Sequence, residues 1–160
     1  MLRITTKGRY ALRAMLDLAM HQQDAPVTRE EIAERQELPA TYLAQLFSAL
    51  TKAGLVESVR GPGGGYVLTR PADQITAGEI LRAVEGPISL TACVVDEEVC
   101  GRAGRCSLRK LYEGLSDAIA HYLDTITLAD IGAGNIPHEF AVPAAQKPAN
   151  LSRNHKVLGG

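Results

Sequence analysis

The hydrophobic pattern between residues 28 and 54 predicts two short helices joined by a tight break. Thr28 and Glu31 have the spacing of a capping box, which begins the first of them. Pro39 ends that helix, because a proline disfavours the helical conformation of the residue before it. The second helix ends at Gly54, a typical C-terminal position for glycine. Its apolar side consists of Leu43, Leu46, Phe47 and Leu50.

Two stretches that alternate like half-buried strands follow, at residues 55–59 and 66–68. The tip between them reads Arg60-Gly61-Pro62-Gly63-Gly64-Gly65, and its glycines, Gly63 and Gly64 among them, allow the backbone to approach another surface closely. Arg60 can reach phosphates or a narrow minor groove. The order predicts a winged helix-turn-helix, whose second helix enters the major groove of DNA. A phosphate-cradling loop does not fit, because a strand follows and Gly-Lys-Ser/Thr is missing.

Helices are also predicted on both sides of this unit. One runs from residue 5 or 6 to residue 20, and another runs from residue 76 to residue 86 with a second capping box at its start. Lys7 and Arg9 lie off the apolar stripe of the first helix. They are candidates for phosphate contacts, with a merely solvated face as the alternative.

From residue 107 the apolar positions recur in steps of four and three, as in a heptad repeat. They are Leu108, Tyr112, Leu115, Ile119, Tyr122 and Ile126. A domain of this size cannot bury the stripe, and we therefore expect the helix to pair with the same helix of a second chain. Packing of the helix onto its own domain is the alternative. A two-fold homodimer suits a near-palindromic site on double-stranded DNA. The predicted fold is mainly α with a small two-stranded wing: a winged helix-turn-helix domain plus a long dimerisation helix.

Three cysteines, Cys93, Cys100 and Cys106, lie between the winged unit and the long helix. Three thiolates that converge suit a soft metal or an iron–sulfur cluster. The spacing is not the CxxC of common zinc sites, and a fourth ligand has to come from another residue type, solvent or a partner chain. The alternatives are thiol oxidation, zinc, or three free thiols packed as small apolar groups.

Composition narrows the function classes. A chain of 160 residues with 46% hydrophobic residues can form one small domain with an extension. It has no apolar run that would span a bilayer and no signal-peptide pattern, so a cytoplasmic location is expected. The net charge of −1 predicts modest non-specific affinity for DNA. No nucleophile–base set indicates an enzyme, and an iron–sulfur carrier is the remaining alternative.

The sequence therefore divides into four parts. Residues 1–86 are predicted to form the DNA-binding domain, 87–106 the cysteine loop and 107–131 the dimerisation helix. Residues 132–160 lack periodicity and are predicted to be a disordered tail, in which His138 and His155 are solvated.

Several segments together resemble the IscR-type family of iron–sulfur cluster transcription regulators. They are TTKGRYALRAMLDLA, TYLAQLF, VRGPGGGYVL, the three cysteines and DTITLAD, so that the resemblance covers residues 1 to about 131. It implies a homodimer that binds DNA through winged helices and a cluster on the three cysteines that tunes promoter choice. By position, Thr41, Tyr42 and Gln45 resemble the recognition-helix residues, and Arg60 resembles the wing arginine that enters the minor groove.

Two features depart from that pattern, namely the fourth cluster ligand and one residue of the recognition helix. Arg109 stands where the typical member has a histidine ligand, and an always-protonated guanidinium is a poor ligand. Nitric-oxide-sensing relatives use an aspartate at a place that is Arg9 here. These departures leave the fourth ligand open, and with it the choice between [2Fe-2S], which is favoured, and [4Fe-4S]. By their chemistry alone, four oxygen donors are candidates for that ligand: Asp96, Glu97, Glu98 and Glu113. Ala44 replaces a glutamate, which removes a group that accepts from cytosine.

Overall fold

Side-chain caps begin most of the helices, as the sequence predicts. The computed structural model describes residues 4–23 and 25–137. Thr5 accepts a hydrogen bond from the Gly8 amide, and the capping boxes at Thr28 and Thr76 are both present. The helices are α1 (Thr6–His21), α2 (Arg29–Gln36), α3 (Ala40–Lys52), α4 (Ala77–Glu85), α5 (Ala92–Val95), α6 (Ser107–Thr125) and α7 (Leu128–Ala133), and the strands are β1 (Val56–Val59) and β2 (Gly65–Leu68).

The core lies where α1, α2, α3 and α4 meet the sheet. Burying a large apolar side chain is worth roughly 1.5–3 kcal/mol relative to leaving it exposed, so the apolar face of α3 anchors this helix firmly. The Phe47 ring lies 4.3 Å from that of Tyr66 and joins α3 to β2. The four residues predicted to form the inner face of α3 are all fully buried: Leu43, Leu46, Phe47 and Leu50.

The strands β1 and β2 form the predicted antiparallel hairpin. Val56 pairs with Leu68 and Val59 with Gly65, so the glycine-rich tip is the connection between them. An isolated bridge between Val27 and Tyr66 ties the hairpin to the segment before α2. The order of α2, α3 and a two-stranded wing confirms the predicted winged helix-turn-helix, in a fold that is mainly helical.

The long helix is shorter than predicted. A single helix was expected over 107–131, but α6 ends at Thr125. Thr127 and Asp130 form a capping box that begins α7, and the Ala77 amide donates to the Ile126 carbonyl at 2.8 Å. Ile126 is 4% exposed within its own domain, so its assignment to the dimerisation stripe was wrong. The sequence pattern missed this break because Ile126 continues the heptad spacing across it.

The rest of α6 has two different faces. Ser116 is buried and accepts a hydrogen bond from the Leu90 amide, and Asp124 forms an ion pair with Arg82 of α4. This side packs on the helix's own domain, as the alternative interpretation expected. The opposite side leaves large apolar residues exposed, namely Leu108, Leu111, Leu115 and Ile119. Leu111 belongs to this exposed stripe, although the heptad analysis did not include it.

At the C-terminal side, α7 extends to Ala133, so the first residues assigned to the disordered tail are helical. The remainder of that prediction, with His138 and His155, falls on residues 138–160, which lie outside the described residues. Within residues 4–23 and 25–137, none of the helices has the length and apolar character that a membrane span needs.

Candidate functional site

The exposed face of α3 is the first candidate surface. Because Leu43, Leu46, Phe47 and Leu50 hold the helix by its other side, Thr41 and Gln45 are exposed. Tyr42 is half-buried, and its ring meets that of Tyr10 edge-on at 5.7 Å. This contact fixes the start of α3 against α1, as a rigid recognition surface requires.

The N-terminal turn of α1 lies beside the start of α3. Lys7, Arg9 and Tyr42 line one surface depression of about 420 Å³, together with Thr5 and Thr6. Both cations are exposed, and Arg9 donates to the Thr6 hydroxyl at 3.2 Å. Cations near a helix N-terminus oppose the helix dipole, so this placement does not serve the stability of α1. Free amides and cations together suit a phosphate group.

The wing supplies the third group of predicted residues. Arg60 and Gly63 are exposed, and Gly64 is half-buried in the turn that its amide closes with the Gly61 carbonyl at 3.0 Å. A Cβ on Gly64 would overlap the carbonyl oxygen of Val59, so a larger residue cannot adopt this backbone. The glycines therefore determine the shape of the tip from which Arg60 projects.

A buried ionic network that the sequence analysis missed connects α1 and α2. Asp17 is 1% exposed and accepts hydrogen bonds from Arg35, at 2.7 Å from Nη2, and from Gln36, at 2.9 Å from Nε2. Burial by itself raises the pKa of Asp17, but these donors outweigh it and hold the pKa below its ordinary value. The carboxylate is therefore charged at neutral pH. The one sequence signal was an acidic residue at an inward position of the apolar stripe of α1.

In the cysteine loop, residues 87–106, the three cysteines lie on different short elements. Cys93 lies in α5, Cys100 follows the short 3-10 helix Glu97–Val99, and Cys106 is the N-cap residue of α6. All three are half-buried free thiols. Among the described residues, no three His, Cys, Asp or Glu side chains converge closely enough to hold a metal ion.

Two of the four carboxylates considered as a fourth ligand are engaged by Arg109. Its Nη1 lies 2.6 Å from Glu97 Oε1, and its Nε donates to Glu113 Oε1 at 2.7 Å. Glu97 in particular, and then Glu113, hold the pKa of Arg109 above its ordinary value. Asp96 accepts from the Glu98 amide at 2.9 Å. The arginine that replaces the expected histidine thus forms ion pairs with candidate ligands instead of acting as one.

The arrangement of helices, wing and cysteine loop can be compared with known proteins. Residues 4–134 match the model of the Rrf2 family, described as an iron-dependent transcriptional regulator. The chain belongs to the Rrf2 family. Its relatives include the transcriptional regulators IscR of Yersinia pestis, 48% identical over 130 residues, and IscR of Serratia proteamaculans, 47% identical over 130 residues. Each alignment covers 81% of this chain and 79% of the relative.

Solved structures of Rrf2-type regulators share the fold. CymR of B. subtilis, described as the global cysteine regulator, superposes with a TM-score of 0.68 at 42% identity, covering 84% of this chain and 98% of CymR. IscR of T. potens gives a TM-score of 0.66 at 40% identity, covering 84% of this chain and 88% of that chain. These matches confirm the resemblance to IscR-type regulators and the prediction of a DNA-binding transcription regulator rather than an enzyme.

Proposed function

We propose that this Rrf2-family regulator binds a near-palindromic DNA site as a homodimer in the cytoplasm. In this proposal Thr41, Tyr42 and Gln45 contact bases or nearby phosphates in the major groove. Arg60, with the backbone of Gly63 and Gly64, contacts the minor groove or the phosphates that border it. The observation that carries the proposal is that an exposed face of α3 lies beside Lys7 and Arg9.

Lys7 and Arg9 have a separate role in this proposal. Contacts to phosphate position a protein on the duplex, whereas contacts to base edges determine the sequence that it prefers. The two cations lie at one end of α3, so a phosphate bound there would fix how deeply α3 enters the groove. Their number is small, in agreement with the net charge of −1, so affinity should depend less steeply on salt than in strongly basic regulators.

The homodimer is supported by the exposed stripe of α6. Leu108, Leu111 and Leu115 are each at least 44% exposed, and Ile119 continues the stripe at 37%. Monomeric proteins rarely expose a contiguous apolar surface of this kind. A second copy of the same helix would cover it and would place two copies of α3 on one face of a duplex.

We further propose that Cys93, Cys100 and Cys106 hold an iron–sulfur cluster that changes DNA affinity. The chemistry of the donor set fits, since three free thiols on one loop are the ligands that such clusters prefer. A bound cluster would supply bonds that cross-link the three segments of the loop. A bound cluster would favour one conformation of residues 93–106, and a ligand that favours one of two conformations shifts the population between them.

The DNA-binding part is tested by selecting genomic fragments on the purified protein and measuring affinity for the enriched site by fluorescence anisotropy. Wild type should prefer that site to a scrambled duplex, and Gln45→Ala should lose part of the preference while retaining binding to both. Ser48→Ala, at another exposed position of α3, is the control for unspecific effects of substitution in this helix. Equal affinity of wild type for both duplexes would contradict the proposal.

The cluster is tested by anaerobic reconstitution, visible absorption and analysis of iron and labile sulfide. Wild type should show charge-transfer bands, and Cys93→Ala should lose or change them. Zinc in place of iron would favour a zinc site. Metal-free protein whose DNA affinity responds to peroxide would favour thiol oxidation, which the three half-buried free thiols also support.

A further inference from the structure

Arg109 of α6 pairs with one carboxylate of its own helix and with one carboxylate of the cysteine loop. Glu113 lies one turn further along the same helix, whereas Glu97 lies between Cys93 and Cys100. We propose that Arg109 is a positioning residue: its ion pair with Glu97 is a latch that holds the middle of the loop against α6. The latch thereby limits the access of reagents to Cys100.

The guanidinium is well placed for this task. The Arg109 side chain is only 18% exposed, and its Nε is already engaged by Glu113, so its orientation is fixed before Glu97 binds. The entropy lost on forming the second ion pair is correspondingly smaller. A planar guanidinium presents separate N–H groups to two carboxylates at once, which an ammonium group does with less geometric definition.

The latch is also weak enough to open. The Glu97 side chain is 68% exposed, so water and salt compete for its carboxylate. Exposed ion pairs of this kind shift an equilibrium by factors of roughly two to five.

The position of Arg109 decides which thiol is affected most. The 3-10 helix Glu97–Val99 directly precedes Cys100, so release of Glu97 frees the backbone on which Cys100 lies. Cys106 is the N-cap residue of α6 and is held by the helix itself. Cys93 lies in α5, where its sulfur is 3.3 Å from the Thr91 hydroxyl. Cys100 should therefore respond more strongly than Cys93 or Cys106.

The test uses the reduced, metal-free, full-length protein and a short pulse of iodoacetamide, with labelling of each cysteine quantified by mass spectrometry. Glu97→Gln and Arg109→Gln should each speed the labelling of Cys100 by about two- to fivefold. Glu98→Gln is the matched control, because it removes the same charge from the neighbouring residue without touching Arg109. The difference should vanish in about 1 M salt, where exposed charges are screened.

The pair of variants separates the latch from a direct electrostatic effect on the thiol. Removing the negative charge of Glu97 favours the reactive thiolate, whereas removing the positive charge of Arg109 disfavours it. Electrostatics alone therefore predicts opposite changes in rate, and the latch predicts acceleration in both variants. Slower labelling in Arg109→Gln, or equal rates in Glu97→Gln and Glu98→Gln, would overturn the proposal.

Any effect of the latch on cluster binding rests on the proposed function. The latch itself does not, because the labelling is measured without metal. Wild-type labelling rates in Glu97→Gln together with normal charge-transfer bands after reconstitution would remove the latch and leave the cluster. Faster labelling of Cys100 in Glu97→Gln, together with no charge-transfer bands in reconstituted wild type, would support the latch and remove the cluster. Circular dichroism of each variant confirms that the fold is retained.

Discussion

The ionic network around Asp17 provides a quantitative test of how α1 and α2 are held together. Replacing Arg35 by alanine removes the strongest hydrogen-bond donors to the carboxylate of Asp17, a residue that is 1% exposed. The remaining neighbours are Gln36, which donates to the carboxylate, and His21, whose ring Nδ1 contacts the Asp17 backbone carbonyl. A buried charge that loses its partner costs about 3–5 kcal/mol. We therefore expect Arg35→Ala to lower the free energy of unfolding by roughly this amount at neutral pH.

Removing the other partner should cost less. In Asp17→Ala the guanidinium of Arg35 loses its acceptor, but its side chain is 32% exposed and can turn to water. The expected loss is about 2 kcal/mol, from the hydrogen bonds and packing of the carboxylate. In the double variant no charge is left buried, so it should be more stable than Arg35→Ala alone. Such non-additivity is the signature of direct coupling.

The dependence on pH should reverse between wild type and variant. In wild type the pKa of Asp17 lies below the ordinary value of 3.8, so its contribution is present above that pH and is lost as the pH falls through the folded-state pKa. In Arg35→Ala burial dominates and should raise the pKa of the same group. That destabilisation should then be absent below the ordinary pKa, should grow as the pH rises from the ordinary to the raised value, and should be constant above it.

Urea unfolding followed by circular dichroism measures these differences, at one protomer concentration because the stability of a dimer depends on it. The slope of the free energy of unfolding against urea concentration should be equal among the variants, so that differences in midpoint report differences in stability. The reasoning is refuted if Arg35→Ala is as stable as Asp17→Ala at neutral pH, or if the double variant is the least stable of the three.

Outcomes are also expected for four further variants. Gly64→Ala should distort the wing tip, because a Cβ there overlaps the Val59 carbonyl; affinity for the selected site in an anisotropy assay should fall about tenfold while the urea midpoint changes little. Leu115→Glu places a charge in the exposed stripe of α6 and should give monomers in sedimentation at micromolar concentration, whereas a monomeric wild type would contradict the proposed dimer. Gln45→Ala should reduce discrimination against single-base changes by about 1–3 kcal/mol, whereas Arg60→Ala should weaken binding to most sequences and lower the salt slope by about one.

Local signals allowed much of the fold to be predicted from the sequence. Thr28 with Glu31 and Thr76 with Glu79 begin helices because a capping box needs only residues that are close in sequence. The wing follows in the same way from two alternating strands around glycines. The break at Ile126 had an equally local signal in the capping box of Thr127 and Asp130, but the heptad spacing of Ile126 concealed it. The pairing of residues 126–128 with residues 75–77, which buries Ile126, is a tertiary interaction that no local pattern shows.

The candidate sites show the same difference between local signals and tertiary interactions. Exposure of Thr41 and Gln45 follows from helical periodicity alone, whereas the proximity of Lys7 to Tyr42 depends on how α1 packs against α3. The ion pairs of Arg109 could not be predicted either. A residue pattern shows that acids lie near an arginine, but not which carboxylate reaches its guanidinium.

The contacts of α6 determine which other helices would move when the cysteine loop changes conformation. Cys106 begins α6, whose other end forms an ion pair from Asp124 to Arg82 of α4. The end of α4 in turn contacts the start of α1, where Thr5 donates to Glu85 at 2.8 Å.

That last contact lies beside the proposed phosphate site. Glu85 and Leu81 of α4 pack closely against Gly8 of α1, so a displacement of α4 should also move the neighbouring Lys7 and Arg9. Rearrangement of residues 93–106 should therefore alter the positions of Lys7 and Arg9 before it alters the wing. The salt dependence of DNA affinity should change with the conformation of the loop more than the discrimination between bases does. The opposite result would indicate that the loop acts on DNA binding through the proposed dimer interface instead.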